Sequence, residues 1–316
     1  MAESRSYSGR QTTLRQPATV SGVGVHSGRP VSLTLHPAEE GSGIWFCRTD
    51  ADGTHDHEVQ ASFRNVSATD YCTAVGMNGA TVATVEHLMA ALSALGVDNA
   101  TIEIDGPEVP VMDGGAGAFV AAVEQAGIAT LDAPRKYIKV LKPVSVRLGE
   151  SHAAFIPHDR MRVEVEIDFA NAVIGRQSFA ADVDAAVFCR EIARARTFGF
   201  LADVEKLWER GLALGASLDN SVVIGDDRIM NPEGLRYPDE FVRHKALDAV
   251  GDLALAGAPI LGLYRSYRGG HRLNLAAVKA LIADESAWTF VEARPEQRRE
   301  AAGAAAMAAA AYSPET

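Results

Sequence analysis

Cysteine is scarce in this chain: three residues among 316, Cys47, Cys72 and Cys189. An odd number with no Cys-x-x-Cys spacing supports neither a disulfide framework nor a zinc ribbon, and reads as reduced thiols in a cytosol. A basic excess is missing too. Lysine and arginine number 30 against 41 acidic residues, for a net charge of −11. That excludes a nucleic-acid backbone as the main partner, which would call for a basic footprint. A local cluster of Arg and Lys can still hold an anionic substrate on an acidic protein. No apolar run reaches the ~20 residues of a membrane-spanning helix, and Met1 to Gln16 lacks the apolar middle of a signal peptide. The expectation is a cytoplasmic protein with no transmembrane segment. Gly22 and Gly24 open no helix, so they make no dinucleotide fingerprint.

What is present is ordinary globular material, 47% apolar and 22% charged, in a chain long enough for two domains. Residues 17 to 37 alternate apolar and polar around glycines and predict a hairpin. Val82 to Leu95 predicts the first helix, with Gly96 placed to end it. Ala100 to Ile104 alternates as a strand, and a second helix runs from the Met112-Asp113-Gly114-Gly115 turn to about Gly127. Asp132-Ala133-Pro134-Arg135-Lys136 breaks the pattern. Strands then recur at Tyr137–Val140 and Arg162–Ile167, with helices near Glu191 and from Glu240 to Ala256. The expected architecture is α+β, with one sheet-and-helix unit over 1–133 and a similar one over 134–300. From Glu300 an Ala-rich tail reads as a surface helix that frays.

The chemistry concentrates on the segment from Phe241 to Asp252. On a helix His244, Asp248 and Asp252 stand four residues apart and share one face. An imidazole and a carboxylate one turn apart can grip the same divalent ion. Leu247, Val250, Leu253 and Leu255 leave little of this helix polar, so the three ionisable groups need a cation or a bonded network. Thr84 to Leu92 adds Glu86 and His87 inside an apolar helical segment. Two His, one Asp and a free Glu are the parts of a catalytic zinc hydrolase, with the fourth position left to water. His271, flanked by Gly269 and Gly270, reads as a loop residue, either a proton donor or a turn. His55-Asp56-His57 has metal-like spacing in a Gly- and Asp-rich loop and reads as solvated. Cys72 reads as a small residue near a turn.

Taken in order, these segments resemble the UDP-3-O-acyl-N-acetylglucosamine deacetylases, zinc enzymes of bacterial lipid A synthesis. The resemblance runs from Gly22-Val23-Gly24-Val25-His26-Ser27-Gly28 through Thr84–Leu92 and Pro107-Glu108-Val109-Pro110-Val111-Met112-Asp113-Gly114. It continues through Ala193-Arg194-Ala195-Arg196-Thr197-Phe198-Gly199-Phe200, Leu218-Asp219-Asn220-Ser221 and the His244 helix to Gly270-His271. It implies one Zn2+ per chain on His87, His244 and Asp248, with Glu86 as general base. His271 would be the general acid or the oxyanion-stabilising cation, oriented by Asp252, and Thr197 would donate its hydroxyl to the tetrahedral intermediate. Lys245 and Phe198 would contact the nucleotide sugar, with Asp203 nearby, Arg268 as a further cation and Cys72 near the entrance of the site.

The same resemblance implies a βαβ-like insert near 199–225 that carries the acyl chain, and an active site between the two units. Leu201, Leu207, Trp208, Leu212, Leu214 and Leu218 would line the acyl passage, or else form helix core. The implied substrate is UDP-3-O-(3-hydroxyacyl)-N-acetylglucosamine, cleaved to acetate and a free amine by a cytoplasmic, monomeric enzyme of a Gram-negative bacterium. Three positions depart from the family pattern: Gly115 for Ser, Asn171-Ala172 for His-Pro, and Arg268 for Lys. A zinc amidohydrolase for another N-acetylated metabolite and a non-catalytic nucleotide-sugar binder are the competing readings.

Overall fold

A computed structural model describes residues 9–49, 57–77 and 79–292. The expected hairpin is present: Ala18–Val23 pairs antiparallel with Pro30–Pro37. In the second strand Val31, Leu33 and Leu35 are buried while Ser32, Thr34 and His36 face the other side, as the period of two requires. Ala100–Ile104, Ile44–Arg48 and His57–Gln60 extend this sheet to five strands. His57 therefore differs from the expected loop. It opens an edge strand opposite Arg48, because Val59 two residues on is drawn into the core. His55 and Asp56 lie outside the described residues, as does the Ala-rich tail.

A seven-stranded mixed sheet forms from the later part of the chain. Its central strand, Ile260–Tyr267, runs parallel to Lys136–Val140 and Met161–Asp168 and antiparallel to Ser151–Ile156. The pattern break at 132–136 is nearly all strand: Ile128–Pro134 pairs with Arg10–Leu14, and Lys136–Val140 follows after one residue. That residue, Arg135, is buried, and its Nε donates to Asp98 Oδ1 at 2.8 Å.

Six α-helices pack on these sheets among the described residues: α1 Glu86–Leu95, α2 Gly117–Ala126, α3 Ala185–Val187, α4 Val204–Glu209, α5 Glu240–Ala254 and α6 His271–Ala283. The fold is α+β. Helix α1 starts four residues later than the periodicity predicts, since Ala80–Val82 is a strand paired with Ala74–Met77 and Thr84 turns the chain at φ 57°. It ends as predicted, on Gly96 at φ 77°, whose N–H bonds back to Leu92 and Ser93. The helix expected near Glu191 is the short α3 followed by a π-helical turn, Phe188–Ile192. The expected βαβ-like insert is observed, with Phe198–Phe200 parallel to Val222–Ile224 and α4 between them. His271 lies in no loop; it begins α6, which Leu273, Ala277, Val278 and Leu281 bury at helical spacing. One apolar core links α1, α2, α5, α6 and both main sheets. Among the described residues no helix is long and apolar enough to cross a membrane.

Candidate metal centre

Helix α5 carries Gly251 where α1 begins, and the two backbones meet there. A Cβ on Gly251 would lie 1.9 Å from the carbonyl oxygen of Glu86. Only glycine admits this approach, and the approach sets the first turn of α1 against the polar stripe of α5. Gly251→Ala is therefore expected to destabilise the fold by about 3 kcal/mol, the upper range for overpacking, and to weaken metal binding in what still folds. Thermal melts and a metal titration check this.

The crossing brings His87 of α1 to His244 and Asp248 of α5. All three are almost fully buried, and their ligand atoms lie within 4.8 Å of one another. Asp248 Oδ1 is 3.3 Å from His244 Nε2 and 3.6 Å from His87 Nε2, and the imidazoles meet edge to face at 5.0 Å. The backbone carbonyl of Ala195 lies 3.0 Å from His244 Nδ1. That contact places the proton on Nδ1 and leaves the Nε2 lone pair free. Burial pushes His244 down to about 3, so it is the neutral imidazole a metal needs. Burial opposes ionisation of Asp248, but the Lys245 ammonium and the charged His271 favour it, and the group is held well below the usual carboxylate range. Lys245 Nζ takes Oδ2 at 2.7 Å, while Oδ1 is buried with no hydrogen-bond partner. A buried, unpartnered carboxylate oxygen is costly, and one cation at the common focus satisfies it. Two imidazoles and one carboxylate fit a divalent ion of the zinc class.

Glu86 and His271 stand beside this trio. Glu86 Oε2 accepts the Thr73 amide at 3.0 Å, and Oε1 lies 3.7 Å from His271 Nε2. His271 Nδ1 faces Asp252 Oδ2 at 2.9 Å. Asp252 also accepts from Thr73 Oγ1 at 2.6 Å and Asn274 Nδ2 at 2.8 Å, and Tyr264 donates to Asn274 Oδ1 at 2.6 Å. Burial pushes Glu86 upward, offset in part by the His271 charge. Burial alone would lower His271, yet the Asp252 and Glu86 carboxylates carry it up to about 10, and it is a cation at neutral pH. The site thus pairs a poised carboxylate with a protonated imidazole.

The other candidate residues divide. Phe198 packs edge-on against His244, with centroids 6.2 Å apart, and Lys245 Nζ sits 5.3 Å over its ring, so both border the trio. Thr197 follows two residues after the carbonyl that holds His244, fixed by its amide to Gly114 O and its carbonyl to the Val222 amide, both 2.8 Å. Cys72 is buried next to Thr73; burial and the Glu86 charge push its thiol up to about 12. Asp203 is exposed and pairs with Lys206 at 3.4 Å. Arg268 bonds to Glu150 and to Asp168. Neither Asp203 nor Arg268 bonds to the cluster. Of the departures, Asn171 closes its own turn by accepting the Val173 amide at 2.8 Å. A Cβ at Gly115 would meet Ala193 O at 2.7 Å, so a serine has no room there.

Several residues of the site escaped the sequence reading. Thr73 and Asn274 hold the two carboxylates, and Glu108 is the third. Its oxygens accept the amides of His26 and Ser27 and the hydroxyl of Thr84, at 3.0, 2.8 and 2.8 Å, pinning the Gly22–Gly28 loop to the start of α1. The insert then docks on that loop through Leu214 N to His26 O and Gly215 N to Val25 O. A lone acid between Pro107 and the apolar Val109 was the available signal for Glu108.

The family model described as UDP-3-O-acyl N-acetylglycosamine deacetylase (LpxC) matches residues 11–283. Proteins named UDP-3-O-acyl-N-acetylglucosamine deacetylase from Brucella ovis, Brucella canis and Brucella suis are each 56% identical over 284 residues. That span covers 90% of this chain and 99% of each relative. With the buried trio, its neighbouring acid–base pair and the insert all inside the matched region, the chain belongs to the UDP-3-O-acyl N-acetylglycosamine deacetylase family.

Proposed function

We propose that the chain hydrolyses the acetamide of UDP-3-O-(3-hydroxyacyl)-N-acetylglucosamine, the committed step of lipid A synthesis, with one zinc ion on His87, His244 and Asp248. The observation that carries this reading is the partnerless Asp248 Oδ1, buried between two imidazoles beside Glu86 and His271. Zinc, when bound, supplies Lewis acidity that polarises a carbonyl and acidifies water. The remaining work falls to the chain. Glu86, held by the Thr73 amide, takes the proton of the attacking water. Protonated His271 and the Thr197 hydroxyl stabilise the charge developing on the carbonyl oxygen. His271 then gives the proton on Nε2 to the departing amine, while Asp252 holds Nδ1.

Phe198 and Lys245 supply a ring and a cation for the nucleotide sugar, with Asp203, Arg268 and Cys72 further out. The acyl chain follows the insert, where Leu201, Trp208, Leu214 and Leu218 are exposed rather than packed as core. In this reading the units 1–133 and 134–300 flank the site, one giving α1 and the other α5. One chain supplies every group named, so a monomer suffices, and the compartment proposed for it is the cytoplasm.

The test is acetate release from the acylated nucleotide sugar, with and without a zinc chelator. Release that the chelator abolishes and added zinc restores is expected. No release from a folded, zinc-loaded sample would sink the proposed reaction.

A further inference from the structure

Resting on that reading, we infer that the buried Arg196–Glu240 pair is a positioning device that sets both the His244 metal ligand and Thr197. Arg196 is 1% exposed and Glu240 not at all. Arg196 Nε and Nη2 grip Glu240 Oε1 and Oε2 at 2.9 and 3.2 Å. Nη1 donates to Glu233 Oε1 at 2.6 Å and Nη2 to Gly234 O at 2.7 Å. Glu240 also accepts the backbone amides of Arg196 and Arg236 at 2.9 and 2.6 Å.

Stability alone is a weak reason to retain such a pair, because apolar residues of similar volume often serve a core as well or better. What the pair supplies is placement. Glu240 is the first residue of α5, and His244 is one turn further along. Arg196 binds the first of these, and the carbonyl of Ala195, one residue earlier, meets the second at 3.0 Å. Two consecutive chain residues are thus stapled to two consecutive turns of one helix. The staple orients the His244 ring through Ala195, and it fixes the backbone immediately before Thr197, the next residue. Groups that orient a metal ligand typically change metal affinity about 10–100-fold when removed. The planar fork is needed for this, and a lysine cannot reproduce it.

The experiment compares two variants with the parent after the parent has been shown to bind zinc and release acetate; failure at that first step would fall on the proposed reaction instead. Arg196→Lys keeps the charge and loses the fork. Arg196→Met combined with Glu240→Gln removes both charges and keeps an acceptor for one of the two backbone amides. Each is scored for melting temperature, for zinc affinity by chelator competition, and for kcat and KM. We expect folded proteins whose zinc dissociation constant rises about 10–100-fold and whose kcat falls while KM holds. In a Thr197→Ala background the Arg196→Lys change should lower kcat less than it does in the parent, since the two residues then act as a unit. Parent zinc affinity and kcat in either folded variant would overturn the inference. So would strict additivity with Thr197→Ala, or failure of both variants to fold, which would assign the pair to folding alone.

Discussion

Glu86→Ala is expected to retain its zinc and lose about 10²–10⁴-fold in kcat, the usual worth of a positioned general base. Metal content should hold because the three ligand atoms belong to other side chains, and the Gly251 crossing that places His87 involves the Glu86 backbone alone. The rate should fall because no other carboxylate is free to replace it: Asp252 is taken by Thr73, His271 and Asn274, and Asp248 faces the metal focus. Truncation also leaves the Thr73 amide unpaired, at a cost of about 1–3 kcal/mol in stability. Glu86→Gln keeps the shape and a partner for that amide, so it should lose rate without that loss of stability. Metal analysis and steady-state kinetics on both variants decide the matter, and near-parent turnover in either would rule out this base.

His271→Ala is expected to lose a comparable factor and, in addition, one limb of the pH–rate profile. The sign follows from the two shifts. His271 is carried up to about 10 against the effect of burial by Asp252 and Glu86. The acid is therefore present below that pH and is lost as pH rises through it. Glu86 lies above the ordinary carboxylate value because it is buried, so the base is lost as pH falls through that raised value. The parent should show a bell with both limbs, and His271→Ala should keep only the acidic one. Asp252→Asn removes the leading counter-charge and should bring the alkaline limb to lower pH. A His271→Ala profile that still declined on the alkaline side would contradict the acid role.

The sequence by itself determined the features that depend on neighbours one helical turn or one strand period apart. His244, Asp248 and Asp252 share a helix face through four-residue spacing, and the structure places all three in the site. The hairpin over 17–37 and the Gly96 stop are local in the same sense, set by alternation and by a left-handed backbone angle. Where local signals compete, tertiary pairing decides between them. Apolar residues from Val82 fit a helix, but pairing with Ala74–Met77 puts Val82 in a strand, and the turn at Thr84 delays the helix to Glu86. Glycines before His271 suggested a loop, yet the apolar spacing after it makes a helix.

Tertiary structure alone decided the contacts that join residues far apart in the chain. Thr73 reaches Asp252 across 179 positions, and Glu108 closes on His26 across 82. Gly251 shows its purpose only once α1 lies against it, and Arg196 has no role of its own until Glu240 encloses it. A threonine hydroxyl, a glycine or an arginine has no spacing that marks such a role. The bond exists because two elements are held together by their apolar faces, and the long-range packing chooses which polar groups meet.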